Sequence, residues 1–456
     1  MTTDVTRMNT DRPNRRLGLT RRMALLLPLA ASGCGLSDMD FFSSDKPPVP
    51  GQRFSVARVE RGMEVDNPRG LKVVLPPPTT RADWPQAGGT TTHEMGHAAV
   101  AEALTEAWSS DIGEGGGYRR KITAQPIVVD GRVYVMDADA VVTAFDAVKG
   151  SRLWRFETRT EDDRGTNVGG GVSVDSGVLY ATTGRGNLVA LDAVTGVLKW
   201  QSRLDNAARA AATIGDGLLF VPELGNRLSA YSIADGKRVW SYQGLDAQTE
   251  VLGLPAPAYA EGIVVAGFSS GELVAIRGTT GAVLWADSLA AAGGRESVSE
   301  LSAIHGMPVI QDGRVYAVGL GRLMLSLDLR SGRRLWEREI AGDETPCIAG
   351  EWIFVLSSDG KLAALSRIDG SVVWVTQLQT YENMEKRKDR IHWVGPTLAA
   401  DRLIVASTIK TALAVSPYTG DVLGEQKLSG AVSVAPSVAM GTVFIVTDDG
   451  KLVALR

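Results

Sequence analysis

Seven times between Gly150 and Gly424 the chain repeats one pattern: an apolar strand, an Asp- or Ser-rich turn, a glycine and, in six copies, a tryptophan four residues later. The copies are Gly150–Trp154, Gly196–Trp200, Gly236–Trp240, Gly281–Trp285, Gly332–Trp336 and Gly370–Trp374, while the seventh keeps Gly420 but has Gly424 in the tryptophan position. Successive repeat glycines lie 46, 40, 45, 51, 38 and 50 residues apart. A strand-rich period of roughly 40–50 residues implies small sheets arranged radially, an all-β propeller.

One repeat can be read strand by strand. From Gly169 to Leu204 run GGGVSVDSG, VLYATT, a GRGN turn, LVALD, an AVTG turn and VLKWQSRL. These are four short apolar runs separated by Gly, Asp and Asn turns, hence one four-stranded blade. The glycine of each AVTG-like turn is expected at positive φ, where a Cβ would clash. The tryptophan then falls on the outermost strand. A lone blade cannot bury both faces, so Trp108, Trp154, Trp200, Trp240, Trp285, Trp336 and Trp374 are expected to pack on the next blade as structural residues.

The last copy, MGTVFIVTDDGKLVALR, supplies inner strands but lacks the turn and tryptophan strand. A matching strand stands near the front, Ala107-Trp108-Ser109-Ser110-Asp111-Ile112-Gly113. A propeller hides its sheet edges by closing the ring, so this N-terminal strand is expected to complete the last blade. Seven full copies and one shared blade make eight.

The first 34 residues read differently. Arg15, Arg16, Arg21 and Arg22 precede the apolar run from Met23 to Ala30, then Ala31-Ser32-Gly33-Cys34. This is a secretory signal with small residues before a cysteine, the pattern of lipidation at Cys34. Thr20-Arg21-Arg22 also has twin-arginine character, which leaves the export route open. Residues 35–81 hold DFFSSDKPPVPG and VVLPPPTT, a composition expected of a flexible tether, with the propeller over 82–456. The only cysteines are Cys34 and Cys347, so no disulfide framework is expected, and Cys347 reads as a small buried hydrophobe.

The chain carries a net charge of −4; residues 1–34 hold six Arg and two Asp, leaving the remainder near −8. An acidic surface without basic clusters argues against nucleic acid and against electrostatic adhesion to anionic lipid.

His93-Glu94-Met95-Gly96-His97 spells H-E-x-x-H, in which two histidines one helical turn apart can bind zinc. It follows Gly88-Gly89-Thr90-Thr91-Thr92, a poor helix interior, and no companion motif supplies a third ligand. The segment is therefore expected to cap the propeller, with a short helix over HAAVAEALTEA leading into Trp108, and no metal or other cofactor is assigned.

Asp192-Ala193-Val194-Thr195-Gly196 with Leu198-Lys199-Trp200, and Asp83-Trp84-Pro85-Gln86 with Gly88-Gly89, resemble the repeats and entry segment of the pyrroloquinoline-quinone dehydrogenase-like propellers. The vicinal cysteine pair of the quinoprotein dehydrogenases is absent. Lipid signal, Pro-rich tether and eight blades resemble instead the BamB family of outer-membrane assembly lipoproteins. That resemblance implies a non-enzymatic scaffold, lipid-anchored at the periplasmic face of the outer membrane. Its implied partners are the periplasmic domains of the barrel-forming subunit, and unfolded outer-membrane proteins. It also implies two neighbouring contact loops, Thr249–Pro257 and Arg295–Val309, whose binding residues here would be Glu250, Val251, Leu252 and Leu254, then Glu300, Leu301 and His305. The alternative implication is a quinone-binding enzyme or binding propeller.

Overall fold

The structure, a computed structural model, describes residues 61–117, 120–247, 253–290 and 302–456. Eight four-stranded antiparallel sheets follow one another along the chain, joined by a small hairpin of Tyr381–Asn383 and Lys388–Arg390 between the sixth and seventh. The expected eight-bladed propeller is the observed fold.

Blade 2 shows why these residues build it. Its strands are Gly170–Asp175, Val178–Thr183, Asn187–Asp192 and Leu198–Arg203. The first three are buried along most of their length because both faces press on neighbouring blades, so their sequences are nearly continuous apolar runs. The outer strand touches a neighbour through one side only and alternates half-buried Trp200 and Ser202 with exposed residues.

Between blades the contact is a tryptophan on a glycine. Trp154 covers Gly196, Trp200 covers Gly236, Trp240 covers Gly281, Trp285 covers Gly332, Trp336 covers Gly370 and Trp374 covers Gly420; a Cβ built on any of these glycines would lie 2.6–2.9 Å from indole carbon. Their φ values run from 67° to 79°, a region open to glycine and strained for other residues. Each indole Nε1 donates to a backbone carbonyl of the next blade, from 2.7 Å for Trp240 to Gly278 up to 3.1 Å for Trp200 to Ile233. A one-residue bulge just before the tryptophan, as between Ala190↔Trp200 and Leu191↔Leu198, accompanies this geometry.

The missing eighth tryptophan has a topological reason. The outer strand of blade 7, Val422–Lys427, would aim such a residue at the turn joining the third and fourth strands of blade 8. Those two strands are Lys451–Leu455 and Glu106–Asp111, so they come from distant parts of the chain and share no turn. Gly424 accordingly has nothing within 4 Å of its would-be Cβ.

Ring closure follows the expected strand. Glu106–Asp111 pairs with Lys451–Leu455, and Thr105 and Arg456 exchange N–H···O bonds of 2.7 and 2.9 Å.

Two expectations about the preceding segment need correction. Residues 61–81, assigned to the tether from composition, lie against the propeller. Arg338, only 2 % exposed, donates to Gly62 O and Asp66 Oδ2; Val73 is buried; Trp352 Nε1 donates to Val74 O at 3.0 Å. The helix expected over HAAVAEALTEA is absent too. Ala98 instead bridges both Thr79 and Ala399 in parallel pairing, with Ala99 N to Thr79 O at 2.8 Å and Ala400 N to Ala98 O at 2.7 Å. Alanine-rich composition favours a helix by tenths of a kcal/mol per residue, and tertiary pairing outweighs it.

From Arg81 onward this strap visits blade after blade. Met440 donates to Arg81 O, Trp84 exchanges two bonds with Val128, and Val174 donates to Pro85 O. Ile214 donates to Gln86 Oε1, Tyr259 to Thr91 O, and Ile310 to Thr92 O. Trp84 is fully buried, with the Arg81 guanidinium 5.3 Å from its ring centre.

Candidate functional site: the channel mouth and its two loops

The H-E-x-x-H residues do not converge. His93 is 1 % exposed at φ 60°, and its Nδ1 lies 2.7 Å from Pro308 O. Burial holds its imidazole down to about pH 4, although the Pro308 contact acts the other way. His97 puts Nδ1 on Pro76 O and Nε2 on Ala400 O, both at 2.6 Å. Glu94 Oε1 accepts from Gln311 Nε2 at 2.6 Å. Irregular, non-helical backbone, with His93 and Gly96 at φ 60° and 64°, sends the three side chains to three places, so each fastens the strap to a different partner. Among the described residues no group of three His, Cys, Asp or Glu is placed to hold a metal ion. Cys347 is fully buried, and burial pushes its thiol up to about 12, as befits an inert core residue.

Of the implied contact residues, Glu250, Val251, Leu252, Glu300 and Leu301 lie outside the described residues, as does Cys34. Leu254 and His305, at the described ends of the two loops, both line the mouth of the central channel. Leu254 is buried at 6 % exposure, so it acts as a wall of that mouth. His305 is half-buried. A Cβ on Gly253 would sit 3.3 Å from His305 Nε2, so the two loops meet there. His305 Nδ1 faces Asp343 O at 3.0 Å, linking them to the connection into blade 6.

The chain of contacts continues around the rim. His392 Nδ1 lies 3.8 Å from Asp343 Oδ2, and His392 Nε2 lies 3.6 Å from Glu344 Oε1. Glu344 raises the His392 pKa above its ordinary value through hydrogen bonding and charge, against partial desolvation. Glu344 Oε2 also accepts from Gly395 N at 2.9 Å. The cavity measures about 260 Å³ and takes its lining from the connections into seven of the eight inner strands. Ala87 of the strap lines it as well.

Asp343, Glu344, His392 and Arg209 escaped the sequence reading. Asp343 and Glu344 share one inter-blade connection, and His392 and Arg209 stand on two others, all outside the repeated turn and without a common spacing. Comparing the residues just before each inner strand across repeats is the one signal that could have gathered them.

Known proteins resemble this chain closely enough to assign it. A family model described as outer membrane protein assembly factor BamB matches residues 161–376 and 380–456. A propeller-domain model of glucose, ethanol and alcohol dehydrogenases matches residues 95–177. The outer membrane protein assembly factor BamB of Moranella endobia is 25% identical over 71% of this chain and 88% of its own length. That of Salmonella typhimurium is 26% identical over 77% and 88%. The crystal structure of BamB from Moraxella catarrhalis superposes with a TM-score of 0.65 at 20% identity, covering 78% of this chain and all of that one. A quinohemoprotein alcohol dehydrogenase of Pseudomonas putida reaches a TM-score of 0.64 at 13% identity, covering 83% and 80%, a likeness of fold alone. With its repeats matched on both sides of the exposed hairpin, the chain belongs to the family of the outer membrane protein assembly factor BamB.

Proposed function

We propose that this protein is a non-catalytic scaffold of outer-membrane protein assembly. Its propeller would dock on the periplasmic domains of a barrel-forming subunit through the two loops that meet at Gly253 and His305. A diacylated Cys34 would hold it at the periplasmic face of the outer membrane. The family relationship supports the assembly role, since the relatives are assembly factors over most of their length. The observation that carries the docking surface is the Gly253–His305 contact, which brings the two loops together at one rim.

Binding energy at such surfaces concentrates in a few residues, each costing roughly 2 kcal/mol or more on truncation. Leu252→Asp combined with Glu300→Arg is therefore expected to abolish co-purification of the partner from solubilised membranes. Circular dichroism and melting temperature should remain those of the wild type, because the family resemblance implies that both positions stand on contact loops and not in blade cores. Undiminished capture by the double variant would overturn the docking reading.

A further inference from the structure

The mouth of the channel is a pocket with one apolar wall and one acidic wall. Leu254, Pro255 and Met307 supply the first, Asp343 and Glu344 the second. The acidic side is under-compensated. A single imidazole, His392, serves both carboxylates at 3.6–3.8 Å, and at 45 % side-chain exposure it is the solvated member of the trio. The cations that line the cavity stand on the connections into other blades: Lys121 balances Asp448, and Arg209 Nη1 donates to Val168 O at 3.2 Å. At about 260 Å³ the cavity is smaller than the roughly 300–1,000 Å³ of sites for drug-sized ligands. It suits one or two side chains.

We infer that this pocket receives a lysine or arginine side chain from an extended segment of the assembly partner, flanked there by apolar residues. The charged end would meet Asp343 and Glu344, and the methylene stem would lie on Leu254 and Met307. Long basic side chains combine an apolar stem with a charged tip, which is the division the two walls present. The inference rests on the docking reading, because Leu254 and His305 tie this pocket to both loops.

The test uses three blocked peptides, acetyl-Leu-Lys-Leu-amide, acetyl-Leu-Glu-Leu-amide and acetyl-Leu-norleucine-Leu-amide, titrated into the full propeller. The methyl resonances of Leu254 and Met307 report binding. The lysine peptide should shift both saturably and at least tenfold more tightly than the other two. Asp343→Asn with Glu344→Gln should remove that preference while the melting temperature holds. Equal responses to the three peptides, or none at Leu254 and Met307, would overturn the pocket. A silent lysine peptide together with loop variants that abolish capture leaves the docking reading standing and removes only the pocket. A responsive lysine peptide with silent loop variants supports the pocket peptide site and sinks the docking reading.

Discussion

Trp108 lies over Gly150: a Cβ on that glycine would come within 2.6 Å of the indole Cδ2, and the indole Nε1 donates to Ala147 O at 3.3 Å. This contact, together with Ser110 Oγ donating to Gly150 O at 2.6 Å, joins the N-terminal strand of blade 8 to blade 1. It repeats the contact that every blade from 1 to 6 makes with the next, so the ring closes by the rule that builds it.

Removing that contact should open the ring at its seam. Trp108→Ala is expected to cost about 3 kcal/mol, reflecting lost aromatic packing. Gly150→Ala should cost about 2 kcal/mol through overlap with the indole and strain at φ 70°. Urea midpoints measure both; a midpoint unchanged in either variant would mean blade 8 is closed by strand pairing alone.

Gly424 is the control. Installing the repeat residue there, Gly424→Trp, gives the indole no glycine turn to cover, since nothing lies within 4 Å of the site. Stability should change by no more than about 0.5 kcal/mol, the range of surface substitutions. A gain of 2 kcal/mol would show an acceptor surface on blade 8.

The blades were legible in the sequence because each glycine and tryptophan recur within one repeat, so their spacing states the contact. The strap was not. Asp66 bonds to Arg338 and Val372 in blades 5 and 6, and Val74 to Trp352 in blade 6. Gln86 bonds to Ile214 in blade 3 and Thr92 to Ile310 in blade 5, and no period records such scattered pairings. The alanines of HAAVAEALTEA were misleading for the same reason: Ala98 is set by Thr79 and Ala399, which lie far away or in an irregular segment. Leu254 and His305 came from the family resemblance, while the carboxylates they adjoin had no pattern to reveal them.

The strap should contribute to stability well before Thr80. Asp66 accepts from Arg338 at 2.8 Å and from Val372 N at 2.8 Å. Burial pushes its carboxyl up, but Arg338 and the Val372 amide outweigh it and hold the pKa below the usual value. Asp66→Asn should therefore remove stability that is present above the unfolded carboxylate pKa of about 3.9 and lost as pH falls through the lower folded value. Deleting residues 1–80 should cost about 2 kcal/mol; a buried ion pair losing one partner typically costs more, but water would reach Arg338 once the strap is gone. Cys34→Ala, by contrast, should release the protein from membranes in a carbonate wash with its melting temperature unchanged. Equal melting of the two variants would place the strap outside the folded unit.

His93 should make the fold sensitive to mild acid. Its imidazole is enclosed against Pro308 O, and burial lowers its pKa to about 4, against about 6.5 in the unfolded chain. The unfolded state then binds the extra proton between those values, so stability falls as pH drops from about 6.5 towards 4. A shift of this size corresponds to about 3 kcal/mol when complete. His93→Gln keeps a donor for Pro308 O and cannot titrate. Its absolute stability should be lower at neutral pH, since the replacement also occupies φ 60°. Its decline between pH 6.5 and 4 should nevertheless be shallower than that of the wild type by that amount. Urea unfolding at stepped pH separates the two effects, because strain displaces the whole curve while the proton changes its slope. Parallel curves would show that His93 takes up its proton without unfolding the strap.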